Sequence, residues 1–104
     1  MINQEIQNIT DIIIQSIQPD KIILFGSRVL ENNKNTSDYD ICILKSGLTK
    51  KRAITQELYK LLYKTKLAID IIIETPENFL ELKNIPYMIY RDIFNNGKVI
   101  YEKE

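Results

Sequence analysis

Lys21-Ile22-Ile23-Leu24-Phe25-Gly26-Ser27-Arg28 is followed, after the polar run Glu31-Asn32-Asn33-Lys34-Asn35-Thr36, by Ser37-Asp38-Tyr39-Asp40-Ile41-Cys42-Ile43-Leu44. This reads as a strand over 21–25, a tight glycine turn, a helical turn or loop, and a second strand over 38–44 that opens on two carboxylates. Strand side chains alternate between faces, so Asp38 and Asp40 are expected on one face and Tyr39 packed on the other. Two like charges that close repel unless a cation sits between them. Hard carboxylate oxygens make Mg²⁺ the natural candidate.

Composition narrows the chemistry. The chain has 104 residues, a length that fits one small domain, and 44% of them are hydrophobic, enough for a packed core. Fourteen basic and fourteen acidic residues cancel, which argues against bulk nucleic-acid binding. The single cysteine excludes an internal disulfide framework and points to a reducing, cytoplasmic setting. No histidine is present, so the usual zinc ligands and histidine bases are excluded. Acid–base work falls to carboxylates, lysine, tyrosine or metal-bound water. Neither a signal peptide nor a membrane span is expected.

Taken in order, Ile2, Ile6, Ile9, Ile13 and Ile17 recur at helical spacing and predict an amphipathic helix ended by Pro19-Asp20. Thr49 is the expected cap of a second helix reaching about Lys64, with Ile54, Leu58, Leu61 and Leu62 buried. Its basic residues, Lys50, Lys51, Arg52, Lys60, Lys64 and Lys66, read as a solvated face. Residues 67–74 predict a third strand, buried on both faces by its near-continuous apolar character. Thr75-Pro76 starts a short helix, and Pro86 opens another through about Phe94 whose aromatic residues are mostly core. Asn96-Gly97 ends it, and Lys98-Val99-Ile100-Tyr101 is a last, edge strand. Neither a repeat, a linker nor a second domain is evident, so residues 1–104 are expected to form a single domain.

Asp70 interrupts the third strand. A buried carboxylate must be paired, protonated or bound to metal. With Asp38 and Asp40 it makes three carboxylates, a set suited to two Mg²⁺ ions about 4 Å apart.

Gly26-Ser27, ten residues, then Asp38-Tyr39-Asp40 resembles the signature of the polymerase-beta-like nucleotidyltransferases. The compact length and Asp70 in an apolar strand resemble the minimal nucleotidyltransferase (MNT) family within it. The resemblance implies an α+β fold with a central mixed sheet flanked by helices. It implies attack on the α-phosphate of ATP, with loss of pyrophosphate. Gly26, Ser27 and Arg28 are the implied nucleotide-binding residues, and Asp38, Asp40 and Asp70 the implied catalytic and metal-binding ones. It further implies an antitoxin that transfers AMP to a tyrosine of a HEPN-domain ribonuclease toxin, in a hetero-oligomer with it. Two alternatives stand beside this reading: an aminoglycoside-type small-molecule nucleotidyltransferase, and a non-catalytic antitoxin that neutralises its partner by binding.

Overall fold

The computed structural model describes residues 3–26 and 38–104. The expected helical turn at 27–30 and the Asn-rich loop after it lie outside the described residues.

The first helix, α1 (Gln4–Ile17), begins where the Asn3 side chain accepts the Ile6 N–H at 2.8 Å. It buries Ile6, Ile9 and Ile13 of the expected isoleucine stripe, together with Thr10, and leaves Ile17 partly exposed. It ends at Gln18, whose left-handed backbone directs its N–H to the Ile14 carbonyl at 3.0 Å. Pro19 then turns the chain into β1 (Lys21–Phe25). The second strand, β2 (Tyr39–Leu44), runs antiparallel to β1. Helix α2 (Lys51–Leu62) continues as a 3₁₀ turn over Tyr63–Thr65 and buries Leu58 and Leu62. Its N-cap is Lys50, in a left-handed conformation with no side-chain cap, so Thr49 does not take the expected role. Strand β3 (Ile69–Glu74) lies parallel to β2, helices α3 (Pro76–Leu82) and α4 (Ile89–Asn96) follow, and β4 (Lys98–Glu102) returns antiparallel to β1.

The strand order β3-β2-β1-β4 makes a mixed four-stranded sheet. One face carries Ile22, Leu24, Tyr39, Ile41 and Ile43 against α1 and α2. The other carries Ile23, Phe25, Cys42 and Leu44 against Phe79 of α3 and Ile93 of α4. The fold is therefore the expected mixed α+β arrangement, with helices on both faces. No helix among the described residues is long and apolar enough to cross a membrane.

Three local expectations are corrected. Strand β3 is an edge strand, so burial is confined to Ile73 and Glu74, and Asp70 is exposed. Helix α4 starts at Ile89 instead of Pro86, because Met88 is extended and residues 84–88 are spent in turns. The aromatic residues expected there are not mostly core: Tyr87, which precedes α4, and Phe94 are exposed, and Ile93 is the buried residue of α4. Phe94 leans on Phe79 and lies under the Lys83 ammonium, 4.3 Å from the ring centre.

Lys51 is exposed, as the solvated-face reading expects, but it also holds an ion pair. Its Nζ meets Glu74 Oε1 at 2.9 Å, and the Asn78 amide donates to Glu74 Oε2 at 2.9 Å. Burial pushes the Glu74 carboxyl up, but hydrogen bonds from Asn78 and Lys51 and the Lys51 charge outweigh it, so its pKa is lowered. Glu74 thus ties β3 to the starts of α2 and α3. Glu74→Ala leaves the exposed Lys51 ammonium to water and Asn78 without its acceptor. It is expected to cost about 1 kcal/mol in urea denaturation at neutral pH. A group with a lowered folded pKa contributes stability above its unfolded pKa and loses it as pH falls through the folded one. The gap between wild type and Glu74→Ala should therefore narrow on acidification below the ordinary glutamate range; a gap independent of pH contradicts the ion-pair account.

Candidate active site

The sheet register brings one end of three strands together. Phe25, the last residue of β1, lies opposite Asp40, and Asp40 lies opposite Asp70. Partners across a parallel pair share a face, so Asp40 and Asp70 stand side by side on the face that carries Cys42 and Ile72. Asp38 is exposed and immediately precedes β2, whose first residue is Tyr39. The Tyr39 N–H donates to the Ala68 carbonyl at 2.8 Å and fixes where pairing with the β3 side begins.

Gly26 closes β1 over this pair. Its φ is +76°, in the left-handed region that favours glycine. A Cβ placed there would lie 2.3 Å from Asp40 Oδ2 and 3.2 Å from its Cγ. The missing side chain is therefore the space that the Asp40 carboxylate occupies.

The electrostatics follow from this crowding. Partial burial raises the Asp40 pKa first, and the negative charges of Asp70 and Asp38 raise it further. Asp38 and Asp70, the other two carboxylates named from sequence, thus both act on Asp40. Two placements differ from expectation: Asp38 precedes β2 instead of opening it, and Asp70 is solvated at the sheet edge, with no burial to demand a partner. Among the described residues no group of three or more His, Cys, Asp or Glu side chains is gathered closely enough to hold a metal ion. Ser27 and Arg28, the other implied nucleotide-binding residues, lie outside the described residues.

Sequence reasoning missed two contacts around the site. The Tyr39 hydroxyl donates to Glu5 on α1, and the Ile71 N–H donates to the Tyr59 hydroxyl at 2.8 Å on the outer edge of β3. Tyr39 is packed on the face opposite Asp40, as expected, but it also carries this polar tie. Cys42 behaves as a small hydrophobe; burial, then the Glu74 charge, push its thiol up to about 12.

A groove of about 560 Å³, floored by Ile23, Leu44, Phe79 and Ile93, opens elsewhere on the Asp40 face. It sits where Lys21 pairs with Leu44, four positions along β2 from Asp40 or about 13 Å at strand rise.

No curated protein and no solved structure matches the chain. A family model does: polymerase beta nucleotidyltransferase, over residues 7–104, which takes in the sheet, Gly26 and all three aspartates. The chain belongs to the polymerase beta nucleotidyltransferase family, and nucleotidyl transfer is the class of activity that this membership supports.

Proposed function

We propose that this protein transfers AMP from ATP to a tyrosine of a partner HEPN ribonuclease toxin and so acts as its antitoxin, as a minimal nucleotidyltransferase. The observation that carries the catalytic part is the register pair Asp40–Asp70, with Gly26 leaving room for the Asp40 carboxylate.

The donor chemistry suits a divalent cation, although the three carboxylates are not gathered into one closed cluster. Three carboxylates whose charges repel supply hard oxygen ligands, and a cation relieves the repulsion that raises the Asp40 pKa. Asp38, Asp40 and Asp70 are the residues that would hold Mg²⁺. Bound there, Mg²⁺ supplies charge neutralisation for the triphosphate and the developing transition state. Gly26 lets backbone approach the phosphates closely, and Ser27 and Arg28 are assigned hydroxyl and guanidinium contacts to them. Asp70, solvated and next to Asp40, takes the proton of the attacking tyrosine hydroxyl. The phenolic oxygen bonds to the α-phosphorus, the bond to the β-phosphate oxygen breaks, and pyrophosphate leaves. AMP adds a negative phosphodiester to the toxin and repels RNA from its nuclease site.

A protein acceptor is favoured over a small molecule by two features. The large groove lies away from the carboxylates, and Leu80, Tyr87, Ile89 and Phe94 expose apolar surface on and beside α3 and α4.

The test is incubation with labelled ATP, Mg²⁺ and the product of the neighbouring gene. Label on that protein's tyrosine is expected. Label on an added aminoglycoside, or none, overturns the reading. Mg-ATP at a hundredfold excess over its dissociation constant should also stabilise the fold by about 2.7 kcal/mol. An unmoved melting temperature under saturating Mg-ATP counts against the nucleotide site.

A further inference from the structure

Tyr39 stands between Asp38 and Asp40, and its side chain leaves the sheet on the opposite face. It is 1% exposed, packed among the residues under α1 and α2. Its hydroxyl nevertheless reaches the Glu5 carboxylate in the first turn of α1. A hydrogen bond to an ionised acceptor is among the stronger ones. It fastens the first residue of β2 to a helix 34 positions earlier in the chain. The same residue is held sideways by its N–H on the Ala68 carbonyl at 2.8 Å. The strand therefore starts at a residue anchored through both backbone and side chain, with an acidic neighbour on either side.

We propose that Glu5 is a positioning residue. Through the Tyr39 hydroxyl it fixes the start of β2, and with it the placing of Asp38 and Asp40 for cation binding. The cation-binding part rests on the nucleotidyl-transfer reading above; the anchoring part does not. Glu5 acts from α1, on the sheet face opposite Asp40. Its effect passes through Tyr39 and is local to one end of the β2–β3 pairing.

That locality gives the test. Tyr39 N–H donates to Ala68 O at 2.8 Å at one end of the pairing, and Lys45 N–H donates to Glu74 O at 3.0 Å at the other. A residue that only stabilises the fold as a whole changes both amides together. Glu5→Ala removes the acceptor, whereas Glu5→Gln keeps an oxygen that Tyr39 can reach. In Glu5→Ala the Tyr39 amide should exchange at least about tenfold faster while Lys45 is unchanged, and Glu5→Gln should restore the wild-type ratio. Tyr39→Phe should shift the ratio in the same direction. Mn²⁺ affinity, measured by electron paramagnetic resonance, should fall about tenfold in Glu5→Ala and recover in Glu5→Gln, the size of loss typical of an outer-shell partner. An unchanged Tyr39-to-Lys45 ratio in Glu5→Ala overturns the anchoring. A changed ratio with unchanged Mn²⁺ affinity overturns the positioning of the carboxylates. Wild-type protein that takes up no Mn²⁺ defeats the nucleotidyl-transfer reading and the cation-binding part together, while the exchange ratio still decides the anchor.

Discussion

Asp40→Asn is expected to lower AMP transfer by roughly 10³-fold, or about 4 kcal/mol of transition-state stabilisation, and to leave the fold standing. Asparagine matches aspartate in size, so the space left by Gly26 stays filled and the strand pairing is undisturbed. What goes is one negative charge from a set of three. Phosphoryl transfer depends on charge stabilisation around the phosphate, so the loss falls on the reaction and not on folding. Docking to the toxin through the exposed α3–α4 surface should persist. On the proposed antitoxin reading a complex should still form, while the toxin should gain no AMP and growth should not be rescued. Rescue by Asp40→Asn, with the toxin mass unchanged, means neutralisation by contact alone.

The same variant has a pH signature in metal-free buffer. The Asp40 pKa is raised in the folded state, by burial first and then by Asp70 and Asp38. A raised folded pKa means that the folded state prefers the protonated form. The contribution is fully present below the unfolded pKa and is lost as pH rises through the folded one. At neutral pH wild type therefore carries a repulsion that Asp40→Asn lacks, and the variant should be the more stable. Below the ordinary aspartate range the advantage should vanish. Equal stability at neutral pH in the presence of chelator contradicts the crowding of Asp40 by its neighbours.

What the sequence made legible was local. The apolar runs at 21–25 and 41–44 and the break at Gly26 place the end of β1 and the strand-borne Asp40 correctly, and the second strand, expected over 38–44, starts one residue later, because strand period and glycine chemistry act over a few residues. Isoleucine spacing places α1, and Thr75-Pro76 places the start of α3. What stayed hidden depends on which strand lies beside which. The run Ile71-Ile72-Ile73 looks like a central strand, but strand order puts β3 at the edge, and this solvates Asp70. The aromatic residues after Pro86 look like core, but α4 begins only at Ile89 and leaves Tyr87 and Phe94 exposed. Glu74, a charged residue in an apolar strand, is buried only because Lys51 and Asn78 converge on it from two other elements. Glu5 carries no local signal at all, since its partner Tyr39 is brought to it by the tertiary fold.

Gly26→Ala should produce the second large loss, for a reason that separates contact from backbone strain. The added Cβ meets Asp40 Oδ2 at 2.3 Å, and the backbone keeps a φ of +76°. The struck atom is the free end of a side chain, so Asp40 can swing aside and the protein can still fold, at about 1 kcal/mol for the left-handed alanine. The carboxylate is then displaced from its place beside Asp70. Misplacement of a reacting group by about 1 Å can cost 10²-fold in rate, and a loss of that order is expected here. Gly47 supplies the control. Its φ is +67°, and a Cβ there meets nothing within 4 Å. Gly47→Ala should therefore cost similar stability and leave AMP transfer within about threefold of wild type. Because Gly26→Ala acts by moving Asp40, combining it with Asp40→Asn should add little to the loss from Asp40→Asn alone. Transfer rates of the two single alanine variants and the double variant, set against their urea midpoints, decide the matter. If Gly26→Ala and Gly47→Ala lose the same stability and neither loses activity, the open space at Gly26 is not what holds Asp40 in a working position.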